Sequence, residues 1–173
     1  MSILQNDTIL LRALEPEDLE LLYLWENNSL LWDVGNTRAP YSRFALKQYI
    51  EQSELNIYES KQLRLMMVSA KTDEILGTVD LFDLDIHNSR IALGLYVDPK
   101  FQGNGFAKSA LKLVENYVFN FLQINQLYCE IAENNIASRM MFEKEGYESN
   151  CILKNWIKTV DGFVNIIVFQ RFR

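Results

Sequence analysis

The segment from Tyr96 to Leu111, YVDPKFQGNGFAKSAL, constrains the fold more than any other part of the chain. An apolar run ends at Val97, a proline turns the backbone, and a glycine-containing loop opens into a helix. That helix reads from about Asn104 to Phe121, because Ala107, Ala110, Leu111, Val114, Val118 and Phe121 recur at three- and four-residue steps. A strand feeding a helix in this way predicts a crossover to a parallel strand, here Leu127 to Ala132. Gly103 and Gly105 allow a tight turn that presents successive N–H groups outward, and the helix N-terminus adds roughly half a positive charge. The loop therefore reads as an anion cradle with a pyrophosphate as its natural guest, and Lys100 and Lys108 lie close in sequence.

The remaining chain is read around this unit. Thr8 to Leu14 is a strand, and Pro16 with Glu17 and Asp18 opens a helix whose buried stripe is Leu19, Leu22 and Tyr23. A second helix starts near Ser42, with Leu46, Tyr49 and Ile50 on one face. Leu63 to Ala70, Ile75 to Asp83 and Arg90 to Val97 are strands joined by short polar turns, which makes an antiparallel meander. Ile136 to Glu145 is a helix closed by Gly146. Two last strands, about 147–158 and 162–171, flank an Asp161-Gly162 turn. The expected architecture is one mixed α/β domain over residues 1–173. Its sheet is mostly antiparallel, of about seven strands with flanking helices, in the order β-α-α-β-β-β-α-β-α-β-β.

With 173 residues, 49% apolar and 23% charged, the chain can bury a core without disulfides or metal. A net charge of −6 argues against nucleic acid as a partner, since phosphate contacts need a basic face. Cys129 and Cys151 belong to no ligand cluster, and His87 is the only histidine, so neither a metal site nor a Ser-His-Asp triad is expected. The N-terminal stretch lacks the basic and apolar regions of a signal peptide, and no window could span a membrane. A cytoplasmic protein without membrane contact is the expectation.

Two familiar phosphate loops do not fit. A Rossmann site wants Gly-x-Gly-x-x-Gly after an early strand, whereas Gly103 begins Gly-x-Gly-x-x-Lys after a meander. A P-loop needs Gly-Lys-Ser/Thr, which is absent. The chain instead resembles the GNAT superfamily of N-acetyltransferases, whose loop reads Gln/Arg-x-x-Gly-x-Gly/Ala; Gln102, Gly105 and Ala107 match it. A second match lies in AENNIASRMMFEKEGYES, through Asn135, Ser138, Gly146 and Tyr147. The element order agrees along almost the whole chain, so a GNAT fold is expected.

The resemblance implies acetyl-coenzyme A as cosubstrate, with no metal. Its pantetheine would lie along Leu93–Val97, with backbone N–H groups near Leu95, Tyr96 or Val97 polarising the thioester carbonyl. Gln102, Gly103, Asn104, Gly105, Phe106, Ala107 and Lys108 would cradle the diphosphate, with Asn135 and Ser138 also at the cofactor. Where many relatives carry a tyrosine as general acid, this chain has Phe142, and where a glutamate is common it has Ala92. Tyr147 and Tyr128 are the substitutes considered for the acid. Asp80 and Asp83 are the candidate bases; on a regular strand their side chains point to opposite faces, so one of them reaches the amine unless a bulge intervenes.

For the acceptor, Glu26, Asn27, Trp32 and Asp33 are the candidates, in a stretch that resembles spermidine N-acetyltransferases at Glu26-Asn27-Asn28-Ser29. Carboxylates and aromatic faces suit a polycation. The expected reaction is acetyl transfer to a small primary amine, a diamine or polyamine ahead of a protein N-terminus or amino sugar. A coenzyme-A-binding module without turnover is the rival that Phe142 and Ala92 keep open. Apolar residues on both faces of the last strand suggest a homodimer, through packing or through extension of the sheet between chains.

Overall fold

The computed structural model describes residues 3–29, 32, 37 and 39–173. Its strands are β1 (Ile9–Ala13), β2 (Leu63–Ser69), β3 (Ile75–Asp85), β4 (Arg90–Val97), β5 (Gln126–Ala132), β6 (Glu148–Thr159) and β7 (Gly162–Phe172). They form one sheet in the order β1-β2-β3-β4-β5-β7-β6. Every neighbouring pair is antiparallel except β4 with β5, the parallel pair joined by the glycine loop and its helix.

The described helices are α1 (Leu19–Glu26), α2 (Arg43–Gln52), α3 (Ile57–Ser60), α4 (Phe106–Asn116) and α5 (Ile136–Lys144). Local chemistry sets their ends. Asp18, 2% exposed, accepts hydrogen bonds from the Glu15 N–H and from both terminal nitrogens of Arg12, tying the start of α1 to β1. Ser42 caps α2 by accepting from the Ala45 N–H at 3.1 Å. Asn56 caps α3, a turn of four residues too short to reveal a period in the sequence.

Two expectations about turns change. α4 continues through a π turn, Tyr117–Phe121, which shifts the register of the helix face. Phe121, expected in the core, is rotated out to 64% exposure and stacks on Tyr117 at 5.5 Å, while Val118 and Phe119 are buried. At the last hairpin Thr159 pairs with Gly162, so the two loop residues are Val160 and Asp161 rather than Asp161 and Gly162.

The strand period of two divides the core between the faces of the sheet. Leu65, Met67, Val79, Leu81, Ile91 and Leu93 pack with Ala110, Leu111 and Val114 of α4 and with Val118 of the π turn. Met66 and Val68 face the other way and pack with Leu14, Leu22, Leu46 and Ile50 around α1 and α2. Gly77 is required by close approach: a Cβ there would stand 2.0 Å from the Tyr96 carbonyl oxygen on β4.

Candidate active site

β4 and β5 are paired only where Arg90, Ile91 and Ala92 meet Gln126, Leu127 and Tyr128. Beyond Ala92 the two strands part, although β4 remains paired with β3 and β5 with β7. The parting opens a cleft of about 1570 Å³, walled by Leu93–Val97 on one side and Tyr128–Ala132 on the other. Backbone groups of β4 on that side have no strand to pair with, which is what an extended ligand requires in order to add as a strand.

The glycine loop closes one end of the cleft. Gly103 and Gly105 have φ of 79° and 78°, and the space where a Cβ would stand is open at both. Gln102 donates from Nε2 to the Val97 carbonyl at 2.9 Å, holding the loop against the end of β4. Asn104 donates to the Phe101 and Gln102 carbonyls, a loop-shaping role, and it is not part of the cleft wall. Gln102, Gly103, Gly105, Phe106, Ala107 and Lys108 do line the cleft. Lys108 reaches across to Glu145 at the end of α5 with Nζ–Oε1 of 2.6 Å. Asn135 and Ser138 also line the cleft; the Asn135 Oδ1 accepts from the Ser138 N–H at 3.2 Å and so caps α5. An exposed run of backbone donors with room for a bulky anion, beside an unpaired strand edge, fits the diphosphate and pantetheine of coenzyme A.

The opposite end is aromatic and charged. Glu26, Trp32, Tyr41, Tyr49, Arg64, Asp80, Phe82 and Asp83 line it. Trp25 instead lines the cleft near the loop end of β4, edge-on to Tyr96 at 5.1 Å and donating to Asp98 at 3.1 Å. Arg64, Asp80 and Gly94 lie directly opposite one another on β2, β3 and β4, a row leading from this end to the middle of the β4 wall. Asp80 is held by Arg64, whose Nε lies 2.5 Å from Oδ1, and the Arg64 Nη1 lies 2.5 Å from Glu26 Oε1. Burial opposes the Arg64 charge, but Asp80, Tyr49 and Glu26 more than offset it and hold its pKa above the ordinary arginine value. The pairing of β3 with β4 shifts between Phe82 and Asp85, and Asp83 sits in that bulge with φ of 52°. The bulge is why Asp80 and Asp83 both reach the cleft despite their odd spacing. Asp83 has no ion-pair partner among the described residues.

Several expected site residues stand elsewhere. Tyr147 does not line the cleft. It is 3% exposed, packed edge-on against Phe142 at 4.9 Å, and its hydroxyl makes no hydrogen bond of ordinary geometry. Burial, reinforced by nearby Glu115, pushes its pKa far up, and its place in the core keeps the hydroxyl from the cleft. Asn27 is not in the cleft wall either: its amide donates to the Tyr23 and Tyr41 carbonyls and accepts from the Tyr41 N–H, clamping the end of α1 to the start of the α2 approach. Trp32 lines the cleft and donates to the Glu26 carbonyl at 2.9 Å. Asp33 lies outside the described residues.

Phe142 does face the cleft, without a hydroxyl to offer. Burial pushes the Cys129 thiol up to about 12, so it stays protonated at neutral pH. Arg64 and Tyr49 are the site residues that sequence reasoning missed. The signal for Arg64 was a lone cation inside the otherwise apolar run of β2.

A mixed sheet that parts between its two parallel strands, with a glycine-loop helix N-terminus at the mouth of the gap, defines a class of coenzyme-A-dependent acyl-transfer enzymes. The chain belongs to the GNAT family: the model of the acetyltransferase (GNAT) domain matches residues 8–148. It is thus an acetyl-CoA-dependent N-acetyltransferase. A spermidine N(1)-acetyltransferase of Vibrio cholerae is 24% identical over 142 residues, covering 82% of this chain and 80% of that protein. A crystal structure of spermidine N-acetyltransferase from Vibrio cholerae in complex with CoA and spermine superposes with a TM-score of 0.86 at 21% identity, covering 96% of each chain. A dodecameric structure of the Vibrio cholerae enzyme superposes with a TM-score of 0.81 at 21% identity, covering 96% of this chain and 95% of that one. Among the described residues there is no group of three or more His, Cys, Asp or Glu placed to hold a metal ion, and no helix is long and apolar enough to cross a membrane.

Proposed function

We propose that this enzyme acetylates a primary amine of a small diamine or polyamine such as spermidine, working as one unit over residues 1–173. The observation that carries the reading is the aromatic and acidic end of the cleft. Trp32, Tyr41 and Tyr49 offer rings there, and Asp83, on the strand next to β4, offers a carboxylate that no ion pair among the described residues engages. Ring faces and carboxylates are the groups that recognise alkylammonium ions. Similarity to spermidine acetyltransferases points the same way.

Acetyl-CoA supplies an activated acetyl thioester. In this reading Leu95, Tyr96 and Val97 engage the pantetheine arm through their backbone, and the 102–108 loop, with Lys108, takes the diphosphate. Asn135 and Ser138 line the arm from the other side. The acceptor amine, with a pKa near ~10.4, is only about one part in two thousand neutral at pH 7. Asp83 is the group assigned to accept its proton, directly or through water, because Asp80 is committed to Arg64. Phe142 has no hydroxyl and Tyr147 lies outside the cleft wall, so the departing thiolate takes its proton from Tyr128, which lines the cleft, or from solvent. A thiol pKa near ~8.5 makes that a cost of about 2 kcal/mol, which needs no dedicated acid.

The hairpin of β6 and β7 leaves Ile152, Trp156 and Phe163 more than half exposed. We further propose that two copies of the chain pack through these residues.

Release of coenzyme A from acetyl-CoA, followed across spermidine, short diamines, amino sugars and N-terminal peptides, tests the acceptor. Saturable turnover of the diamines and spermidine alone is the expected result. Turnover of only amino sugars or peptides would overturn the polyamine reading.

A further inference from the structure

Lys108 and Glu145 both line the cleft and come from its two sides, yet their charges meet at 2.6 Å. Lys108 stands in the first turn of α4, beside the glycine loop that follows β4, and Glu145 is the C-cap of α5, which follows β5. Each charge sits at the wrong end of its helix. The first turn of α4 is the positive end of that helix and disfavours a cation, while the end of α5 is negative and disfavours a carboxylate. Among the described residues neither group has another ion-pair partner. The pair therefore joins two charges that their own helices repel.

The partners differ in freedom. The Lys108 side chain is 55% exposed and ends a flexible four-carbon stem, so its ammonium can swing within the mouth of the cleft. The Glu145 side chain is 12% exposed, and a carboxylate so withdrawn from water is costly without a cation beside it. The loop of residues 102–108 is also where the cofactor's diphosphate is placed. One ammonium is thus claimed by two kinds of anion, a carboxylate of the chain and the phosphates of the cofactor.

We infer that Glu145 is an internal competitor for the diphosphate: it holds Lys108 in the empty enzyme, and coenzyme A must draw that ammonium away or share it. Binding then leaves Glu145 with a weakened partner and near a phosphate of like charge. Both effects loosen coenzyme A, so Glu145 trades cofactor affinity for faster release of the product coenzyme A. The inference rests on placing the diphosphate at the 102–108 loop, and it holds whichever amine is acetylated.

The test is equilibrium binding of coenzyme A, of dephospho-coenzyme A, which keeps the diphosphate, and of pantetheine, which lacks it. The proteins are the wild type, Glu145→Gln and Lys108→Met. Glu145→Gln should bind coenzyme A and its dephospho form about tenfold tighter, a change of about 1.4 kcal/mol, with a matching fall in the release rate. Pantetheine should bind the wild type and Glu145→Gln alike. A pair that only braces the fold would, once broken, weaken coenzyme A or leave it unchanged, and either result overturns the inference. So does an equal gain for pantetheine. Thermal unfolding supplies a readout that survives poorer folding: the rise in Tm at a fixed coenzyme A concentration should be larger in Glu145→Gln than in the wild type. Lys108→Met should weaken coenzyme A. If it does not, the diphosphate is not beside Lys108, and that placement fails together with the inference. If it does while Glu145→Gln gains nothing, the inference alone falls.

Discussion

Gly77 shows how one missing methyl group can hold a wall of the active site in place. It sits where β3 passes β4, opposite Val97, and an added Cβ would meet the Tyr96 carbonyl oxygen at 2.0 Å and its carbon at 2.9 Å. Both are backbone atoms, so no rotamer change relieves the clash; β4 itself must move. Overpacking of this kind costs about 1–3 kcal/mol, and a domain of this size loses about 2–4 °C of Tm for each. The segment that moves is Tyr96 and Val97, the part of β4 assigned to the pantetheine arm. Gly77→Ala is therefore expected to lower Tm by several degrees and to cut kcat/KM for acetyl-CoA by about tenfold or more, since small misplacements of reacting groups are amplified in rate. Calorimetry and steady-state kinetics on the same preparation check both effects, and an unchanged kcat/KM would show that β4 geometry is not limiting. The same scale separates Gly77 from Gly103 and Gly105, which meet nothing where a Cβ would stand but have positive φ. There the cost of substitution is backbone strain and a filled cradle, not a clash.

Among the elements, the entry to α1 depends on a single buried carboxylate. Burial alone would raise the Asp18 pKa, but the hydrogen bonds from Arg12 and from the Glu15 N–H outweigh it and hold the carboxyl below its usual value. A carboxyl whose folded pKa is depressed stabilises fully above its unfolded value, about 3.9, and the contribution is lost as pH falls through the lower folded value. Asp18→Asn should cost about 1.5–3 kcal/mol near neutral pH and should flatten the acid limb of a Tm-against-pH curve. Parallel acid limbs in the two proteins would place the titrating group elsewhere. At this scale the sequence was a good guide. Alternation marked the strands, the three-and-four rhythm marked α4, and Gln102 to Ala107 marked the loop between them. The contacts it hid join distant positions. Arg64 meets Glu26 and Asp80, respectively 38 and 16 residues away in sequence, through strand register and the end of α1. The bulge that brings Asp83 to the cleft leaves no sequence signature, and Tyr147 matches a family motif while its hydroxyl is sealed in the core.

The whole molecule ends, at one side of the sheet, in β6, a twelve-residue edge strand with no outer neighbour among the described residues. Long exposed edges invite pairing, and proteins blunt them with lysines and bulges. β6 has both: Lys154 and Lys158 lie on it, and its register against β7 shifts between Ser149 and Cys151 and again between Leu153 and Ile157. Extension of the sheet from chain to chain is thus opposed. The faces of the hairpin are not protected in the same way, since Trp156 is 59% and Phe163 61% exposed. Association through β6 and β7 should therefore be face packing, driven by apolar burial. Salt should then strengthen it, because each copy carries a net charge of −6 and the long-range repulsion between copies is screened. Trp156→Lys, a change at an exposed position, should leave Tm and the KM for acetyl-CoA near wild type while raising the dissociation constant at least about tenfold, the effect of losing a central aromatic anchor. Sedimentation equilibrium at low and at physiological salt reads this directly. A wild type that is monomeric at tens of micromolar in both buffers would remove the association altogether, and a dimer that Trp156→Lys leaves intact would move the contact off this hairpin.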